Sequence, residues 1–145
     1  VGKMGGAGTT TQPQTYRFTD GDLPYAADRL TYRLKQIDTD GTTSVSDPVT
    51  VERRAVEQVQ LLGTAPNPAR SQATVRFSIP ESVADETATL RLYDVLGRAV
   101  RTLPTDAATG RHTLSLDTSG LPSGVYVLRL EVGEIVKTQR LTVVQ

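Results

Sequence analysis

Few side chains in this chain could do chemistry. His112 is the only imidazole, and no cysteine is present, which excludes disulfides and thiolate metal sites. A catalytic triad needs a nucleophile oriented by such a base, and no nucleophile-elbow motif accompanies His112. It shares strand parity with Leu114 and Leu116, which predicts a structural place at the rim of an apolar face. Asp38, Asp40 and Gly41 superficially suggest a calcium loop. Thr43 stands where that loop needs Gly and Val49 where it needs Glu, so a turn is expected instead. Gly6-Ala7-Gly8 lacks the third glycine and the strand-to-helix context of a nucleotide loop. Tyr16, Tyr25 and Tyr32 could stack on sugar rings, but Tyr16 and Tyr32 fall at core-facing positions, with Tyr32 placed as a tyrosine corner. No paired carboxylates, metal-ligand cluster or nucleophile–base set stands out. The reading is therefore non-catalytic, with no cofactor and no metal.

Charge narrows the partners. The chain has 145 residues with 16 basic and 16 acidic side chains, so it shows no electrostatic footprint for nucleic acid or an anionic membrane. No apolar run approaches the roughly 20 residues of a membrane-spanning helix. Val1–Gly6 lacks the charged-then-apolar pattern of a signal peptide, as expected if the chain is the C-terminal part of a longer protein. Arg outnumbers Lys and Asn67 is the only asparagine, a bias that a thermophile or a GC-rich genome would equally produce.

The elements that must position these residues read as strands. Short alternating runs separated by Gly, Pro, Asp and Ser clusters recur, which predicts an all-β fold. In the first half, Gln14–Thr19 alternates around Tyr16 and Phe18, and Leu30–Asp38 places Leu30, Tyr32 and Leu34 on one face. Val45, Val49 and Val51 form a third segment interrupted by Pro48, after a hairpin turn at Asp38–Gly41. Three strands with one apolar face cannot close a sandwich, so this module is expected to be incomplete. Arg53–Leu62 shows no clear period and reads as a linker, with Val59, Leu61 and Leu62 able to start the next module. Ala65-Pro66-Asn67-Pro68 marks the boundary, because two prolines remove two backbone donors.

The second half gives six strands. Val75, Phe77 and Ile79 alternate before Pro80; Thr89–Val95 puts Leu90 and Leu92 opposite Arg91 and Tyr93; Ala99–Leu103 follows a turn at Asp94–Arg98. Arg111–Asp117, Gly124–Val132 and Ile135–Val144 complete the series, the last two joined by Gly133-Glu134. In the last strand Lys137 and Gln139 interrupt the apolar parity of Ile135 and Leu141, which predicts either a bulge or a partly exposed edge. The fold expected is two small antiparallel β-sandwich modules of Ig/fibronectin III-like type, the first incomplete. The divisions are 1–54, a linker at 55–64, and 65–145.

From Asn67 onward the ordered motifs resemble the C-terminal sorting domain of proteins exported by the type IX secretion system, of its type A. The resemblance is carried by Ala65–Ala69, Thr74–Pro80, Leu90–Arg98, Gly110–His112, Leu121–Tyr126 and Lys137–Val144. Gly6–Thr10, Tyr16–Asp20 and Tyr32–Gly41 resemble the later strands of a fibronectin type III-like module, which often precedes such a domain. The first resemblance implies a sorting signal that directs a secreted cargo across the periplasm and outer membrane to the cell surface. Its implied partners are the type IX translocon and surface peptidase components, with a surface lipopolysaccharide as anchor after processing. The domain itself is expected to be a monomer. Cleavage is expected in the linker before Asn67, and recognition at Gly124–Val144. The sorting and recognition residues so implied are Asn67, Pro68, Tyr93, Asp94, Gly97, Arg98, Leu121, Gly124, Tyr126, Lys137, Arg140 and Leu141. Residue by residue, hairpin architecture accounts for Asp94 and Gly97, and Tyr126 reads as a core anchor. The rival function is a carbohydrate-binding or adhesive module of a surface enzyme.

Overall fold

A computed structural model describes residues 1–8, 10–105 and 108–145; Thr9, part of the Gly6–Thr10 motif, lies outside them. The chain divides into two compact units, Val1–Arg53 and Arg54–Gln145.

In the first unit, β1 (Arg29–Tyr32) pairs with β4 (Val49–Glu52), and β2 (Lys35–Ile37) pairs with β3 (Thr43–Val45), both antiparallel. The single strand expected over 30–38 is therefore two, and Val45 lies on a different strand from Val49 and Val51. Ser46-Asp47-Pro48 causes the break. Pro48 has no N–H for a ladder, while Ser46 Oγ accepts the Leu34 N–H at 3.0 Å and Ser46 N–H reaches the Leu34 carbonyl at 2.9 Å. Leu34 is 70% exposed as a result, off the half-buried face of Leu30 and Tyr32. Asp38–Gly41 forms the expected turn: Gly41, at φ 87°, donates to the Asp38 carbonyl at 3.0 Å, and Thr42 N–H reaches Asp40 Oδ1 at 2.8 Å. That backbone donor is the main reason the Asp40 carboxyl is held below the ordinary carboxylate range.

Two further expectations for this unit are corrected. Gln14–Thr19 is not a strand, because alternation supplies no ladder partner for its backbone. Tyr16 is 52% exposed rather than in a core, its hydroxyl accepting the Ala7 N–H at 2.8 Å. Tyr32 is half-buried, yet its hydroxyl donates to Asp20 Oδ2 at 3.0 Å, not to the backbone acceptor of a tyrosine corner. None of the described residues from 1 to 53 is buried.

The second unit is a sandwich. One sheet has the order β5-β6-β9, built from β5 (Gln60–Ala65), β6 (Gln72–Ile79) and β9 (Gly110–Asp117). The other has the order β11-β10-β7-β8, from β7 (Ala88–Tyr93), β8 (Ala99–Leu103), β10 (Gly124–Val132) and β11 (Ile135–Val143). Inward rows from both sheets merge into a single buried cluster. Val75, Phe77 and Ile79 of β6 meet Leu90 and Leu92 of β7 and Tyr126, Leu128, Leu130 and Val132 of β10. Each fully buried Leu or Phe contributes about 1.5–3 kcal/mol of transfer free energy. His112 sits at the rim as expected, its ring stacked on Phe77 at 4.9 Å and its Nε2 donating to the Ala108 carbonyl at 2.6 Å.

Among the described residues this unit has seven strands where six were expected, because β5 lies mostly on residues assigned to the linker at 55–64. Its register on β6 slips between Leu61 and Gly63, Gly63 takes φ 114°, and Leu62 is thrown outward. A bulge breaks the two-residue period that would announce the strand. In β11 the opposite holds: pairing with β10 runs without a shift from Val132↔Ile135 to Gly124↔Val143. The interrupted parity there marks an exposed edge, not a bulge.

Candidate recognition surface

The outer edge of β11 is covered over only half its length. In an antiparallel ladder both backbone groups of alternate residues point to the same side. The Asn67 carboxamide donates through Nδ2 to the Arg140 carbonyl at 3.1 Å and accepts the Thr142 N–H at 3.0 Å through Oδ1. Ala69 continues the clamp, its N–H reaching the Thr142 carbonyl at 2.8 Å and its carbonyl accepting the Val144 N–H at 2.8 Å. The Ala65–Pro66 and Asn67–Pro68 peptide bonds flanking Asn67 are both cis. Even-numbered residues of β11 thus aim their backbone groups away from β10. Among the described residues, no backbone group pairs with Val136 or Thr138 on that edge.

Three clusters hold the residues singled out in the sequence. Asn67 and Pro68 lie beside Arg140 and Thr142, as above. Leu121, Gly124, Tyr126 and Leu141 gather at the entry to β10: Tyr126 opposes Leu141, Gly124 opposes Val143, and the Tyr126 hydroxyl donates to the Pro122 carbonyl at 2.8 Å. Leu121, Tyr126 and Leu141 are buried, so their side chains hold the fold and are not offered on its surface. Asp94, Gly97 and Arg98 form the β7–β8 turn. Asp94 Oδ1 accepts the N–H groups of Leu96 and Arg98, both at 2.9 Å, and Oδ2 accepts Arg98 Nε at 2.7 Å. The Arg98 backbone donor, with the other hydrogen bonds of the turn and the Arg98 charge, holds the Asp94 carboxyl below the ordinary range. Gly97 takes φ 77°, which a side chain would disfavour. Lys137 is exposed near the open half of β11.

The outer face of the four-stranded sheet joins two of these clusters. Burial alternates along β7, β10 and β11, so Tyr93, Val127 and Arg140 form one cross-strand row facing away from the core. Beside it runs a second row, Arg91, Arg129 and Thr138. Glu131 links the two arginines, at 2.6 Å from Arg129 Nη2 and 3.6 Å from Arg91 Nη1.

Several contributors went unrecognised in the sequence. Ala69 is fully buried against β11, and nothing in its residue type announces the clamp. Thr118 is buried, donating its N–H to the Ser71 carbonyl at 2.9 Å and its hydroxyl to the Arg70 carbonyl at 3.2 Å. Gln145 N–H reaches Ser123 Oγ at 3.0 Å, and its side-chain amide donates to the Leu121 carbonyl. Arg129 could have been found from its strand parity.

A family model for the secretion system C-terminal sorting domain matches residues 65–144. No curated protein is matched. Among solved structures, the chain is similar to the crystal structure of dimeric latent PorU from Porphyromonas gingivalis. That similarity has 21% identity and a TM-score of 0.49, covering 80% of this chain and 12% of that one.

Proposed function

The chain belongs to the C-terminal sorting domains of the type IX secretion system, and from that premise we propose that its second unit is a non-catalytic address carried by a secreted cargo. The folded sandwich is read after the cargo reaches the periplasm, and the cargo then passes the outer membrane to the cell surface or beyond. The readers are the translocon and a surface peptidase, with a surface lipopolysaccharide as the anchor of the processed cargo. The domain acts as a monomer. One observation carries the reading: the last strand of the sandwich presents an edge clamped at Arg140–Val144 and open at Val136 and Thr138. Free N–H and C=O groups on such an edge can accept an added strand from a receptor. Asn67, Pro68, Arg140 and Leu141 hold that edge in shape; Lys137 stands beside its open part. Tyr93, Asp94, Gly97 and Arg98 shape the neighbouring sheet, and Leu121, Gly124 and Tyr126 seat the start of β10.

Processing falls in the exposed, strand-free segment before buried Val59, where few backbone groups are tied down. The first unit is read as the later strands of a fibronectin type III-like module. Its cargo-side role is separate from sorting.

The test fuses residues 54–145 to a fluorescent reporter in a bacterium that has this secretion system. Surface or extracellular reporter is expected, released with a C-terminus between residues 54 and 58. A reporter retained in the periplasm refutes the proposal. The carbohydrate-binding alternative draws on the exposed ring of Tyr16. It predicts retention on polysaccharide columns that is lost when Tyr16 or Tyr25 is replaced by alanine.

A further inference from the structure

The outer face beside the open half of β11 has an unbalanced charge pattern. Arg91 and Arg129 are direct cross-strand partners on that face. Like charges placed directly opposite destabilise a sheet, and an arginine cannot relieve the repulsion by losing its proton. Arg140 adds a third cation in the adjoining row. Glu131 is the carboxylate that meets Arg91 and Arg129, holding one through each of its oxygens. Three arginines therefore share this surface with one glutamate. Arg91 and Arg129 keep 42% and 41% of their side chains exposed, so their guanidinium donors are not used up by Glu131.

The row holding the arginine pair ends at Thr138, whose outward backbone groups, like those of Val136, have no backbone partner among the described residues. A strand added there would place its own alternate side chains on the same outer face, level with Thr138 and Arg140. Arginine forks match carboxylates in two parallel hydrogen bonds.

We infer that the open half of β11 and its flanking arginines bind an acidic extended segment of a receptor, one carrying carboxylates at alternate positions. Backbone pairing at Val136 and Thr138 supplies the register. Arg140 and Arg129 select the acidic side chains, and Tyr93 and Val127 give the row an apolar floor. The inference rests on the sorting reading for the receptor's biological role, but its binding chemistry can be measured separately.

The probe is a fluorescent hexapeptide of alternating threonine and glutamate, titrated against the full 145-residue chain by anisotropy. Binding is expected, with no detectable binding of the same peptide carrying lysine in place of glutamate. The double substitution Arg129→Glu with Arg140→Glu should weaken binding by roughly tenfold or more. Thr138→Pro removes an outward N–H without removing a bond to β10 and should weaken it by a comparable factor. Unfolding midpoints of both variants show that they remain folded, and a variant that does not is replaced by the single substitution Arg140→Gln. Equal binding of the lysine peptide overturns the inference, as does dextran sulfate competing as well as the glutamate peptide, since a polysaccharide has no strand to add. Full binding by the folded Thr138→Pro variant also overturns it. An exported reporter that lacks the glutamate preference defeats this inference alone. A reporter held in the periplasm defeats the sorting reading, a result independent of which peptide binds.

Discussion

The two units use the same kind of sequence and reach different ends. Leu30 and Tyr32 alternate as cleanly as Leu90 and Leu92, yet the first pair is only half-buried while the second is fully buried. The difference lies in what faces them. Leu90 and Leu92 meet the inward row of the three-stranded sheet, whereas β1 through β4 form two-stranded ribbons with no second layer among the described residues of their unit. Isolated ribbons are marginal in water, and stability comes when two apolar faces close on each other. Alternation marks a strand's intended face; burial is decided by a partner layer.

The sharpest way to break that comparison is to hollow both units and compare the damage. Leu128→Ala in β10 removes a fully buried side chain and should cost about 2–5 kcal/mol of unfolding free energy by urea titration. Asn67→Ala should cost roughly 1–2 kcal/mol, since it deletes two hydrogen bonds to β11. Faster hydrogen exchange at the Thr142 amide would place that loss at the clamp. A smaller effect is expected from Asp94→Asn, present at neutral pH and vanishing in acid. The Asp94 carboxyl is held below its ordinary range in the fold, so its stabilisation is present above about pH 4 and lost as pH falls through the folded value. The asparagine variant should lose that part of the acid sensitivity, read as a flatter midpoint-against-pH curve below about pH 4. Smallest of all, Leu34→Ala in the first unit should change stability by less than about 0.5 kcal/mol. Equal costs for Leu34→Ala and Leu128→Ala would mean that the contrast drawn above is mistaken.

The legibility of the sequence follows the same divide. Gly124–Val132 was readable to the residue because its apolar parity is unbroken and its neighbours β7 and β11 pair with it without a bulge across that stretch. β5 was hidden because Leu62 and Gly63 form a bulge, which erases the period that sequence reading depends on. The break between β1 and β2 was hidden for a related reason: it comes from Ser46 and Pro48 in the facing segment between β3 and β4, not from residues in the segment itself. For the candidate surface, the motif residues were visible by type, but the clamp was not. It joins residues 73 and 75 positions apart, and no local pattern encodes such a pairing. The arginine pair sits between these extremes, since parity places Arg91 and Arg129 on one face but not opposite each other.

The span of the Asn67 clamp also has a consequence in time. A ribosome that has just made Asn67 must add 73 more residues before the acceptor carbonyl of Arg140 exists. A chain interrupted before that point leaves Asn67 and Ala69 with nothing to hold, and the sandwich lacks its edge strand. The clamp therefore closes only after Arg140 and Thr142 have been made, so the edge of β11 takes its shape late in the synthesis of this unit.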